Sequence, residues 1–124
     1  GTSLVSAQET TSSIIYGDLA TVGPTVTVTT GTRALVSYTC QMQNDTVSGF
    51  ALASISISGA TTLNAADTNC IAWEQDGTTG QAATISRTKL ITVNPGVNTF
   101  TLKYRALTAG TADFSRRELV VIPF

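Results

Sequence analysis

Trp73, Glu74 and Asp76 place an indole beside two carboxylates two residues apart, a grouping suited to gripping or cleaving sugar. On an extended strand Glu74 and Asp76 stand about 6 to 7 Å apart and point the same way, so they do not flank a bond to be broken. The trio therefore reads either as a sugar-stacking platform or as an indole turned into the core or an interface. Asp67 with Asn64 and Asn69 offers hard oxygens, yet their spacing follows no calcium-loop pattern. The chain has no His, which removes Ser-His-Asp and Cys-His catalysis, imidazole metal sites and a switch near neutral pH. Two Cys without His do not make a zinc site. No catalytic residue, metal ligand or cofactor site is assigned, and a non-enzymatic role is expected.

The elements that hold these groups are extended. Glycines and prolines interrupt the chain so often that long helices have no room, and the apolar residues alternate with period two. Ala34, Val36, Tyr38, Cys40 and Met42 share one parity, as do Phe100, Leu102, Tyr104 and Ala106. Strands are predicted at roughly 13–16, 25–30, 33–42, 48–58, 70–75, 82–93, 97–106 and 113–122. About eight strands in one domain over residues 1–124 imply an all-β fold, an antiparallel, jelly-roll-like sandwich. Residues 1–9 form a flexible or extended N-terminal arm, and Gly1-Thr2-Ser3, without Met, reads as the start of a piece of a longer chain. Asn94-Pro95-Gly96 fits a type II turn, and residues 59–76 suggest a long loop crossing between sheets. In the strand at 48–58 the apolar parity changes, through either a bulge or an Ala/Ser face packed on another subunit.

The composition agrees with pleated strands that carry hydroxyls on the wet face: 23 Thr and 11 Ser accompany 42% hydrophobic and only 12% charged residues. Seven Lys plus Arg against eight Asp plus Glu leave no basic surplus, so nucleic acid is not an expected partner. No apolar run approaches the 18 or so residues that span a bilayer, so membrane insertion is not expected.

Four stretches carry a resemblance. Gly23-Pro24 leads into Val-Thr-Val-Thr at 26–29, Ser-Gly-Ala-Thr-Thr occupies 58–62, Gly-Val-Asn-Thr-Phe-Thr-Leu-Lys-Tyr-Arg runs over 96–105, and Arg-Arg-Glu-Leu-Val-Val-Ile-Pro occupies 116–123. In this order, over most of residues 10–124, they resemble the small C-terminal β-domain of actinobacteriophage minor tail proteins. The resemblance implies a trimeric jelly-roll-like module in the virion, at the distal part of the tail, helping to contact the host envelope. It supplies no catalytic residues.

Cys40 and Cys70 depart from that pattern. A disulfide between them would close a loop of about 30 residues and stabilise the fold by about 3 to 4 kcal/mol on the chain-entropy model; the alternative is two buried thiols. Lys103, Arg105, Arg116 and Arg117 would form a basic patch for an acidic envelope polymer if the last two strands make a hairpin, unless Glu118 and Asp113 neutralise them. The loops at 43–48, 60–69 and 76–81 carry Asn44, Asp45, Asn64, Asp67, Asp76, Thr78, Thr79 and Gln81. With Trp73 beside them, these groups suit weak binding of a host cell-envelope glycan, multiplied in a homotrimer. The apolar ending at Leu119–Ile122 and the Ala/Ser face of 51–58 are the expected trimer contacts. Two other roles compete with a tail adhesin: a carbohydrate-binding module of a secreted protein, and a capsid decoration protein.

Overall fold

The structure is a computed structural model describing residues 1–77 and 80–124; Thr78 and Thr79, assigned above to a candidate loop, lie outside the described residues. The strands are β1 (Thr2–Val5), β2 (Glu9–Thr11), β3 (Thr25–Thr30), β4 (Arg33–Asn44), β5 (Phe50–Gly59), β6 (Cys70–Glu74), β7 (Ala83–Thr92), β8 (Gly96–Leu107) and β9 (Ala112–Pro123). Alternation builds them. One parity of β4 buries Ala34, Val36, Tyr38, Cys40 and Met42, and one parity of β8 buries Phe100, Leu102, Tyr104 and Ala106.

These faces meet between two antiparallel sheets. One has the order β1-β9-β4-β7, with β2 also on β9; the other has the order β3-β8-β5-β6. Since β1 and β2 both lie along β9, they act as a single interrupted strand. Eight strands then nest first with last: β1/β2 with β9, β3 with β8, β4 with β7, β5 with β6. Four nested pairs folded across two sheets make a jelly-roll-like sandwich. Tyr104 and Phe114 meet between the layers with ring centroids 4.8 Å apart. Each large apolar side chain buried there contributes about 1.5–3 kcal/mol.

Three expectations need correction. Residues 13–16 form no strand: the segment makes a single bridge, from Gly17 to Tyr104, along the part of β8 that β3 does not reach. The N-terminal arm is extended and supplies the first strand, β1. Residues 59–76 do not cross between sheets, because β5 and β6 are neighbours in one sheet and Leu63 bridges back to Ile57 on the way. Strand β5 keeps its register throughout, with Ala51, Ala53, Ile55 and Ile57 in the core. The bulge lies in β9, where the register with β4 shifts between Thr39 and Gln41 and Arg116 takes φ +49°. One extra residue there lets Phe114 and Arg117 both face inward, a parity that simple alternation forbids.

Candidate functional site

The outer face of the β3-β8-β5-β6 sheet carries a depression. Its floor follows from register: β8 places Lys103 opposite Ser54 and Arg105 opposite Leu52, with Thr101 opposite Ser56. One wall is the segment before β3. Ala106 N donates to Ser13 O, Gly17 and Tyr104 exchange backbone bonds of 3.0 and 2.9 Å, and Leu102 N donates to Pro24 O. The other wall is the β5–β6 connection. Leu63 exchanges two backbone bonds with Ile57, and Ser54 Oγ donates to Ala66 O at 2.7 Å while accepting from Ala66 N.

Between the walls lies a cleft of about 530 Å³, lined by Ile14, Ile15, Tyr16 and Gly17, by Asn64 and Ala65, and by Ser56, Lys103 and Arg105. The walls are tied together, since Tyr16 Oη donates to Asp67 Oδ1 at 2.7 Å. Arg105 sits beneath that tie, its guanidinium carbon 5.5 Å from the centre of the Tyr16 ring and its Nη1 3.3 Å from Asp67 Oδ1. Burial, then the bond to Asp67, raises the Tyr16 hydroxyl well above its usual range, so it remains a donor. Lys103 pairs with Asp18 at 2.6 Å. The cleft combines two cations, two small polar side chains and an apolar wall.

The predicted site residues divide among separate places. Asn64 is on the cleft wall and Asp67 in the tie beside it, whereas Trp73 and Asp76, with Glu74, line a second, open depression of about 440 Å³ that shares no residue with the cleft. Trp73 stands opposite Ala51 on edge strand β6 and is half-buried against the core, with Nε1 lacking a hydrogen-bond partner among the described residues. Asp76 caps its own turn through Gly77 N. Asn44 is no ligand group. It is fully buried; its Nδ2 donates to Phe50 O and Ala109 O, and its Oδ1 accepts from Thr46 N. A Cβ on either Gly49 or Gly110 would collide with that Oδ1, so both glycines serve this junction. Asn69 is likewise engaged, accepting from Lys89 Nζ through its side chain and from Tyr38 Oη through its carbonyl.

The expected basic patch does not form, because β8 and β9 lie in different sheets. Lys103 and Arg105 stand together on one outer face, Arg116 is exposed at the bulge in the other sheet, and Arg117 is buried between the layers. Their partners are not Glu118 and Asp113. Arg117 pairs with Glu9, donates to Gly23 O and Thr21 O, and lies 5.2 Å from the Tyr104 ring centre. Thr21, donating through hydroxyl and amide, and then Arg117 hold the Glu9 carboxyl below its usual range.

The disulfide is also corrected: Cys40 and Cys70 are both free. Cys40 belongs to the core face of β4, where its thiol donates to the Ser115 carbonyl, while Cys70 sits on β6 in the opposite sheet. Burial pushes the Cys40 thiol up to about 12. Sequence reasoning missed Tyr16, Ser56 and the Ile14-Ile15 pair as cleft residues. The available signal was two adjacent isoleucines on both parities of a short segment, a poor pattern for a half-buried strand.

The nested strand pairing has counterparts among viral proteins. VP2 of infectious bursal disease virus, as a subviral particle, matches 98% of this chain with a TM-score of 0.65 at 12% identity. VP2 of the Gt strain matches 98% with a TM-score of 0.61 at 14% identity, and VP2 from T=1 particles matches 98% with a TM-score of 0.60 at 16% identity. This chain shares its fold with part of VP2. It spans about a third of the length of those proteins, 32%, 32% and 31% respectively. No family model matches the sequence, and no curated protein does.

Proposed function

We propose that the chain is a non-enzymatic virion module, the distal part of a phage tail protein that contacts the host cell envelope and binds its glycan as a homotrimer. The observation that carries the virion role is the fold: VP2, the protein it matches over 98% of its length, is known in these structures as the material of viral particles. The order of the four sequence stretches and the hydroxyl-rich, charge-poor composition favour the tail position. For glycan contact, the open depression at Trp73, Glu74 and Asp76 offers an indole beside hydrogen-bonding groups at the rim of a rigid sandwich. A decoration protein of the capsid is the second reading, favoured by the particles that VP2 forms.

Antibody against this chain, imaged on intact virions, distinguishes the readings. Label at the tail tip together with binding of the purified chain to host cells supports the adhesin. Label confined to the head supports decoration, and absence from virions overturns both. For the depression itself, Trp73→Ala should weaken host-cell binding severalfold and also lower stability, since the indole packs against the core, so binding is compared at a temperature where circular dichroism shows the variant folded; unchanged binding removes Trp73 from the site.

A further inference from the structure

We infer that the cleft between residues 14–17 and 64–65 binds an acidic saccharide, its carboxylate held by Arg105 and Lys103. The inference rests on the glycan-contact reading and adds to it a second site and a ligand class. Three observations carry it.

The first is charge. The lining contains both cations, while the carboxylates paired with them, Asp18 and Asp67, lie outside it, so the charged side chains that face the cleft are Lys103 and Arg105. A carboxylated sugar is a glycan that complements these two side chains.

The second is unused hydrogen-bonding capacity. Guanidinium carries five N–H donors in a planar fork, suited to bidentate carboxylate binding. Among the described residues Arg105 finds one partner, Asp67, through Nη1 at 3.3 and 3.5 Å, distances at the long end for a charged pair. The Tyr16 ring and the Asp67 tie hold this guanidinium in place before a ligand arrives, which lowers the ordering cost of binding.

The third is the match of the remaining lining to a sugar ring. Asn64 is exposed without an intramolecular hydrogen bond among the described residues, and Ser56, whose hydroxyl donates to Thr101 O and keeps its lone pairs, lines the same cleft. These supply a donor and acceptors for ring hydroxyls. Ile14 and Ile15, 67% and 75% exposed, present apolar surface that a C–H face of a sugar can cover. A volume of about 530 Å³ lies within the range of small-ligand sites, about 300–1,000 Å³.

The test titrates the purified chain with a hexuronic-acid oligosaccharide and with the same oligosaccharide after reduction of its carboxyl groups, following binding by calorimetry. The acidic form should bind and the reduced form should bind about tenfold more weakly or not at all, since a hydrogen-bonded ion pair is lost. Arg105→Gln should lower affinity for the acidic form about tenfold, and binding should weaken as salt is raised. Because Arg105→Gln also removes the pair with Asp67, Asn64→Ala serves as the variant that disturbs no internal bond; it should weaken the acidic sugar severalfold. Trp73→Ala should leave this titration unchanged. Equal binding of the acidic and reduced forms, or affinity unaffected by both cleft variants, overturns the site while leaving glycan contact elsewhere intact. A chain that binds host cells but neither oligosaccharide overturns the ligand class, and one that binds neither cells nor sugars overturns the glycan-contact reading itself.

Discussion

Arg117 shows how much one residue can depend on a distant one. It is fully buried between the sheets, and Glu9, more than a hundred positions earlier, supplies its counter-charge. Removing that partner leaves a buried cation uncompensated, which is strongly unfavourable. Glu9→Gln is therefore expected to lower the melting temperature at neutral pH. Because hydrogen bonds depress the native Glu9 pKa below 4.5, its stabilisation is present in full above that value and disappears as pH falls through the native one. Thermal scans across pH should show parent and variant converging in acid; a constant gap down to the lowest pH would exclude the ionised pair as the cause. The two thiols give a second prediction at this scale. At pH 8 alkylation should modify half-buried Cys70 well before Cys40, whose thiol is raised to about 12 by burial. Intact mass should not change on reduction, and a gain of two hydrogens would restore the disulfide.

Among the elements, β9 is the one that departs from regular pleating. Its bulge turns Arg117 inward next to Phe114 and puts Arg116 at φ +49°, a conformation strained for side chains with a branched Cβ. Arg116→Gly is expected to keep or slightly raise stability, whereas Arg116→Val should cost about 1–2 kcal/mol in urea denaturation. Equal stability of the two variants would mean that the bulge relaxes freely. The same element explains a misreading: Leu119 and Val121 are core, but Arg116-Arg117 cannot be assigned to faces by alternation because the extra residue inverts the parity.

At the scale of the whole molecule, the exposed apolar surface lies away from the 51–58 face. Ala51 and Ala53 are core residues, Ser54 is covered by Ala66, and Ser56 lines the cleft, so the 51–58 face is not a free contact surface. Of the other expected contact, Leu119 and Val121 are core, and Ile122 is the exposed large apolar residue. Ile122 on β9 stands level with Leu35 on β4 and Leu90 on β7, a row across three strands with Leu90 and Ile122 about half exposed. Such a row suits self-association. Sedimentation at micromolar concentration should give about three times 12.9 kDa, and Leu90→Glu with Ile122→Glu should release monomers. A parent chain that sediments as a monomer throughout that range would remove the trimer.

Period-two alternation depends only on neighbouring residues, and so β3, β4, β7 and β8 were legible in the sequence close to their observed bounds, together with the sandwich class. Local pattern also identified the chemistry of Lys103, Arg105, Asn64, Asp67 and Trp73. It could not say which of them meet. That depended on sheet assignment: β8 and β9 are consecutive yet belong to opposite layers, which separates Lys103 and Arg105 from Arg116 and Arg117. Nor could it place residues 1–11, because their short strands, four and three residues long, pair with β9 at the far end of the chain and are too short to show an alternating apolar face. The cleft belongs to the same class. Its two walls, 47 or more residues apart in sequence, come together only because the central strands β5 and β8 offer each wall an unoccupied length of backbone edge.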